Sequence, residues 1–217
     1  MRAAIVDPDP SAVPVRVGDW PDPDVPPGWA LVRVARAGLN RNDAMWLDER
    51  HELPHPSVIG SDAAGTVAAV GAGVTGTGVG DEVLVLPSLW WGDRDDSPGD
   101  GFQVLGFPTQ GTHAELVVVP AENVFPRPAR LSVDDAAALP LAGVTAWRGL
   151  VTRGGLTAGE TVVVTAASAG VGTFAVQIAA ALGARVVAVS SSQAKLDAAA
   201  RLGAAAGVLR TSARYAD

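Results

Sequence analysis

The sequence predicts an α/β protein in two parts: a mainly β N-terminal domain, then the first half of a doubly wound parallel sheet. Two observations carry this expectation. Up to about Arg130 the chain is rich in Pro, Gly and Asp between short apolar runs, the texture of strands joined by turns. From Ser132 onward, Ala-rich helical periodicity alternates with Val runs, the mark of βαβ construction. The division read from this change is residues 1–130 and 131–217.

In the first part, Ala3–Val6, Ala30–Val34, Thr66–Val70, Glu82–Leu86 and Ala114–Val119 are the strand candidates, each bounded by turn residues. Ser132 followed by Asp134 and Asp135 reads as a helix start, a hydroxyl cap with acids in the first turn. Leu139-Pro140 ends that helix and admits the next, Ala142 to Thr152. An apolar β-branched run, Thr161 to Thr165, then meets a small-residue turn and an amphipathic helix. A second run follows from Arg185 to Ser190, then a helix from Gln193 to about Leu202 and a short run, Ala206–Arg210. This is half of a doubly wound sheet, with a bare apolar edge. Either the chain is a fragment of a longer protein or something else covers that edge.

The segment from Thr161 to Lys195 carries the functional signal. Gly170-Val171-Gly172-Thr173-Phe174-Ala175 fits G-x-G-x-x-G/A at a strand-to-helix junction, the setting in which that pattern binds a dinucleotide. Gly170 is expected to let the turn close, Gly172 to admit a pyrophosphate to the helix N-terminus, and Ala175 to let the helix lie close on the strand. The expected site comprises Ser168, Ala169, Gly170, Val171, Gly172 and Thr173. An NAD site normally places an acid about 20 residues later, on the ribose hydroxyls. Here Ser190, Ser191 and Ser192 stand there, with Lys195 one helical turn further on. Hydroxyls and an ammonium suit a 2′-phosphate, so the cofactor reads as NADPH. The serines also read as a cap for the next helix, and the two roles are compatible because a helix N-terminus favours phosphate.

Composition excludes other classes. The net charge of −7, with no basic cluster, argues against nucleic acid or anionic membrane as partners. The absence of cysteine removes disulfides and thiolate metal ligands. No N-terminal apolar stretch reads as a signal peptide and no apolar run is long enough to span a bilayer, so a soluble cytoplasmic protein is expected. Two motifs are decoys. His51-Glu-Leu-Pro-His55 matches the zinc-protease H-E-x-x-H, but Pro54 and Pro56 forbid the continuous helix it needs. Gly71-Ala-Gly-Val-Thr-Gly76 is followed by a turn and a strand rather than a helix, and reads as a hairpin loop.

Further segments carry a family likeness: Ala35-Arg-Ala-Gly-Leu-Asn-Arg-Asn-Asp43, Gly60-Ser-Asp-Ala-Ala-Gly65, Val70-Gly-Ala-Gly-Val74, Val79-Gly-Asp-Glu-Val83, Gly111-Thr-His-Ala-Glu115, Ala136-Ala-Ala-Leu-Pro140 and Gly143-Val-Thr-Ala-Trp147. Together, and in this order, they resemble the medium-chain dehydrogenase/reductase superfamily and its zinc-independent quinone oxidoreductase group. The resemblance implies a GroES-like N-terminal domain, a Rossmann domain and an active site between them, in proteins that run on past residue 217. Zinc-dependent members carry a Cys and a G-H-E motif; Asn40 stands near the Cys place, and Ser61 and Asp62 replace His and Glu. The segment expected to hold a structural zinc lobe, about Leu86 to Leu105, has no cysteine. No metal is therefore expected.

The function expected is hydride transfer from NADPH to a quinone or enone. The resemblance places Asn40 and Thr145 beside the nicotinamide and the substrate carbonyl, with Asp43 bracing the Asn40 loop. Plainer readings exist: Asn40 caps a turn and Thr145 packs in a helix. His113 reads as structural, leaving water to supply the proton. Trp46, Trp90 and Trp91 could line an aromatic cleft, although Trp90-Trp91 reads better as pinning the acidic loop Asp93–Asp100. Competing functions are a non-catalytic NADPH-binding protein or fragment, and an enoyl-reductase-like enzyme acting on acyl thioesters. Full-length relatives usually pair through the far edge of the nucleotide sheet, which implies a homodimer only for a longer chain.

Overall fold

The computed structural model describes residues 1–53 and 55–211, in two compact units, Met1–Leu141 and Ala142–Asp217. The first unit is built on strands β1 (Arg2–Val6), β2 (Val15–Asp19) and β3 (Trp29–Ala37), helix α1 (Arg41–Asp48), and strands β4 (Ser57–Val58), β5 (Ala63–Val70), β6 (Glu82–Val85), β7 (Ser88–Leu89), β8 (Gln103–Val104), β9 (Leu116–Pro120) and β10 (Val124–Pro126). A five-stranded sheet runs in the order β10-β6-β5-β3-β9; β2-β1-β4 and β7-β8 form smaller ones. The pairings are antiparallel. All five strand candidates of this part overlap observed strands, with Leu86 and Ala114-Glu115 falling just outside β6 and β9, because alternation puts one side of each into the core. Ala30 and Val32 point inward from β3 and pair across with Val119 and Val117 of β9. They join Val67, Val83, Val85, Leu89 and Leu105 in one buried cluster. Strand β2, whose residues are mostly exposed, showed no core pattern in the sequence and was not expected.

Helix α2 (Val133–Ala137) starts as expected: the Ser132 hydroxyl accepts from the Asp135 N–H at 3.1 Å. Its Ala136 and Ala137 pack on Ala64 and Leu84, so it belongs to the first unit although it lies past residue 130. The next helix begins earlier than expected, with α3 at Pro140–Trp147. Proline is tolerated at a first helical position, and Arg148–Arg153 continues as a wider, π-type turn.

Around the H-E-x-x-H decoy, Arg50–Glu52 makes a single 3₁₀ turn and Leu53 is extended; Pro54 lies outside the described residues. Gly71 to Asp81 connects the antiparallel strands β5 and β6, a hairpin loop as read. Trp91 stands edge-on to Phe102 with centroids 4.9 Å apart and donates to the Arg94 carbonyl at 2.7 Å, which ties the acidic loop down. Trp46 packs on Phe107.

The second unit is a parallel sheet, β11 (Thr161–Val164), β12 (Arg185–Ser190) and β13 (Ala206–Leu209), in the order β11-β12-β13. Helix α4 (Gly170–Ala181) joins the first two strands and α5 (Gln193–Arg201) the last two. Val176, Ala179, Val186 and Ala188 are fully buried between helix and sheet, where alanine at the helix contact lets the layers approach closely.

Candidate functional site

Two clusters hold the expected residues, one in each unit. In the second unit, β11 and β12 run in parallel register with Val164 opposite Ala188, so both strands end on the same side. The chain leaves β11 through Ala166, which has a positive φ of 50°, a region that costs a residue with a Cβ about 1–2 kcal/mol. It then enters α4 from Ala169, an extended cap residue. The first intrahelical bond is Thr173 N–H to Ala169 O at 2.8 Å, while the Ala169 N–H is spent on the Ala166 carbonyl. The Thr173 hydroxyl donates to the Gly170 carbonyl at 2.8 Å. The amides of Gly170, Val171 and Gly172 are therefore the ones a helix start leaves for an anion.

The two motif glycines differ. A Cβ at Gly172 would collide with the Ala166 carbonyl oxygen and lie 2.9 Å from the Ala167 Cα; one at Gly170 would meet nothing nearer than 3.9 Å. The fold itself forbids a side chain at Gly172, and the open space lies over Gly170.

Beside this turn is a cleft of about 370 Å³ lined by Thr165, Ala166, Ser168, Ala169, Val189, Ser190, Ser191, Lys195 and Arg210. The Ser168 and Ser190 hydroxyls lie 3.2 Å apart, and Lys195 Nζ donates to the Ser191 hydroxyl at 3.4 Å. Ser192 takes the cap position of α5 without a side-chain hydrogen bond to the helix and does not line the cleft. Arg210 is the residue missed by sequence reasoning. Parallel pairing sets Ser190 beside Leu209, and the Arg210 N–H donates to the Ser190 carbonyl at 2.9 Å. The third strand thus delivers a second cation to the cleft. A basic residue closing the Ala206–Arg210 run was the available signal, legible only once that register was known.

In the first unit, Asn40 is the cap residue of α1, a helix not foreseen because its four apolar residues are consecutive, Ala44 to Leu47, and do not recur at a helical spacing. The Asp43 carboxylate accepts from the Asn40 backbone N–H at 2.7 Å, as in a capping box. The Asn40 side-chain amide donates instead to Asp62 Oδ1 at 2.8 Å. Asp62 is fully buried; its Oδ2 accepts from the Leu141 N–H at 2.9 Å, and its carbonyl accepts from the Thr112 hydroxyl at 3.0 Å and the Gly38 N–H at 3.1 Å. His113 Nε2 donates to the Gly38 carbonyl at 3.2 Å and stands 4.0 Å from Asp43 Oδ2. Burial pushes the Asp62 carboxyl above its ordinary value, opposed by the Leu141 and Asn40 donors. Burial also raises Asp43, opposed by the Asn40 N–H and His113. Asp43 Oδ1 and the Ser61 hydroxyl are buried without a hydrogen-bond partner. Thr145 lies on α3 in the second unit, exposed.

Two family models match, "Alcohol dehydrogenase GroES-like domain" over residues 26–129 and "Zinc-binding dehydrogenase" over 170–216. The crotonyl-CoA reductase of Streptomyces avermitilis is 34% identical over 93% of this chain and 51% of its own length. The acryloyl-coenzyme A reductase of Metallosphaera sedula is 35% identical over 80% of this chain and 54% of its own. The chain thus spans about half the length of these relatives. Among solved structures, an NAD-dependent alcohol dehydrogenase superposes with a TM-score of 0.89 at 38% identity, covering 98% of this chain and 64% of that one. A quinone oxidoreductase of Pseudomonas syringae gives 0.78 at 29%, covering 97% and 59%. A mycobacterial protein complexed with NADPH gives 0.78 at 28%, covering 96% and 58%.

Proposed function

The chain belongs to the medium-chain dehydrogenase/reductase superfamily, and on that premise we propose that it serves an NADPH-dependent, zinc-free reductase of quinones and enones. One observation carries the cofactor choice. The cleft at the ends of β11, β12 and β13 holds Ser190, Ser191, Lys195 and Arg210, and among the described residues none that lines it is acidic. An acid would hold the ribose hydroxyls of NADH; hydroxyls and two cations suit the dianionic 2′-phosphate. The amides of Gly170, Val171 and Gly172 are assigned to the bridging phosphates, with Ser168 on the flank of the same turn and Ser192 ordering the start of α5.

When bound, NADPH supplies the hydride that adds to the electron-poor end of the acceptor. The residues of the chain bind and orient. Asn40 is assigned to hydrogen-bond the substrate carbonyl, where negative charge develops. Thr145 is assigned to the nicotinamide, Asp43 braces the Asn40 loop, and solvent supplies the proton. Zinc does not fit this donor set. Asn40, Ser61 and Asp62 provide an amide, an alcohol and one carboxylate, and both Asp62 oxygens already accept N–H groups of the chain; zinc asks for three or four nitrogen, sulfur or carboxylate ligands. The names of the crotonyl-CoA and acryloyl-coenzyme A reductases favour a second reading, an α,β-unsaturated acyl thioester as acceptor.

Calorimetry with NADPH and NADH tests the cofactor assignment. Lys195→Ala and Arg210→Ala are each expected to weaken NADPH at least about tenfold, which is about 1.4 kcal/mol, and to leave NADH nearly unchanged; equal losses refute it. Turnover of 9,10-phenanthrenequinone against crotonyl-CoA, followed by loss of NADPH absorbance, separates the two acceptor classes.

A further inference from the structure

We infer that Asp62 is a positioning residue, a buried carboxylate that orients the Asn40 amide for its work on the substrate carbonyl; this rests on the role proposed for Asn40. Where zinc-dependent relatives carry the Glu of their G-H-E motif, this chain has a fully buried aspartate with hydrogen bonds on both carboxylate oxygens. One oxygen takes the Asn40 amide at 2.8 Å and the other takes the Leu141 N–H at the start of α3, at 2.9 Å. The carboxylate also lies against Gly38, where any Cβ would collide with Oδ1 and stand 2.9 Å from the Ala137 carbonyl. Asp62 is thus held at both carboxylate oxygens, by Asn40 and by the Leu141 backbone, with Gly38 against one of them.

A side-chain amide has two N–H groups in one rigid plane. Fixing one on an immobile carboxylate fixes the direction of the other, and a charge-assisted bond does so more firmly than a neutral one. Asn40 is itself only half-buried, so its free N–H can meet a ligand. The Asp43 carboxylate does not take up either amide N–H, because it accepts from the Asn40 backbone. Replacing Asp62 by Asn keeps the shape but presents an N–H to one of two donors, so either the Asn40 or the Leu141 contact is lost.

The test is a double-mutant cycle on the full chain with NADPH and phenanthrenequinone. Asn40→Ala and Asp62→Asn are each expected to lower kcat roughly tenfold to a hundredfold, the range typical when an orienting contact is removed. The NADPH dissociation constant should stay unchanged in both, since the cofactor cleft lies in the other unit. The double variant should match Asn40→Ala alone, because an effect transmitted through Asn40 vanishes with it. Additive losses would mean that Asp62 serves the fold only and would overturn the proposal, as would full kcat in Asp62→Asn while Asn40→Ala is impaired. Full kcat in Asn40→Ala would bring down the assignment of Asn40 and this inference with it. Should Asp62→Asn fold poorly, the wild-type protein decides: one Asn40 side-chain N–H must exchange slowly with solvent, and fast exchange of both would overturn the inference.

Discussion

Replacing each motif glycine by alanine separates what the fold needs from what the cofactor needs. At Gly172 the new methyl would meet backbone alone: the Ala166 carbonyl, its carbon at 3.0 Å and the Ala167 Cα at 2.9 Å, against a comfortable carbon separation of about 3.5–4.0 Å. No flexible side chain can yield, and Ala166 is already held at φ 50°. Overpacking of this kind costs about 1–3 kcal/mol, and alanine returns about 0.5–1 kcal/mol over glycine in a helix. A collision with rigid backbone belongs at the upper end of that range, so the net loss is about 2–2.5 kcal/mol, a fall in melting temperature of about 4–10 °C for a chain of this size. At Gly170 the nearest atom is the Ala142 Cβ at 3.9 Å, so Gly170→Ala should melt at or slightly above the wild type. Its methyl would stand over the helix start, where the phosphates are assigned, and NADPH binding should weaken about tenfold or more. Thermal melts followed by circular dichroism, with calorimetry of NADPH, read both effects. A Gly172→Ala protein as stable as wild type, or a Gly170→Ala protein of full affinity, refutes the reasoning.

Ala166→Gly should be neutral to stabilising by up to about 1 kcal/mol, because relief of the left-handed φ outweighs the freedom glycine gains when unfolded; Ala166→Val, β-branched at the same φ, should lose about 1–3 kcal/mol, both measured by urea unfolding. The raised Asp62 carboxyl sets a pH dependence. Between its unfolded value near 3.8 and the higher folded value, the folded chain holds more protons. Stability from this group is therefore full at the acid end and declines as pH rises through that window. Against Asp62→Asn, the wild type should lose relative stability as pH climbs from about 4, and a constant difference in denaturant melts would contradict it. Prolonged EDTA treatment should leave NADPH oxidation unchanged, with no stoichiometric zinc by metal analysis.

Much of the fold was legible because burial imposes a period. Strands such as Ala30–Val34 and Ala114–Val119 alternate toward one core, and the Val-Ala-Val texture after residue 160 reflects parallel strands covered by small-residue helices. Helix α1 was not legible, since its apolar residues form one short run, Ala44 to Leu47, and its start depends on Asp43 reaching back to the Asn40 N–H. The cleft proposed for the cofactor was half legible. Ser190, Ser191 and Lys195 follow one strand in sequence, while Arg210 reaches them only through the pairing of Ser190 with Leu209.

The sequence by itself determined the two-part α/β plan, the glycine turn between strand and helix and the unsuitability of a cysteine-free site for thiolate-bound zinc, because each is written in local spacing and residue chemistry. Tertiary structure alone decided which glycine the fold cannot do without, which cations share a cleft, and that Asp62 holds Asn40 across 22 positions of chain. Those depend on the register and close approach of backbones far apart in sequence, which no local pattern records.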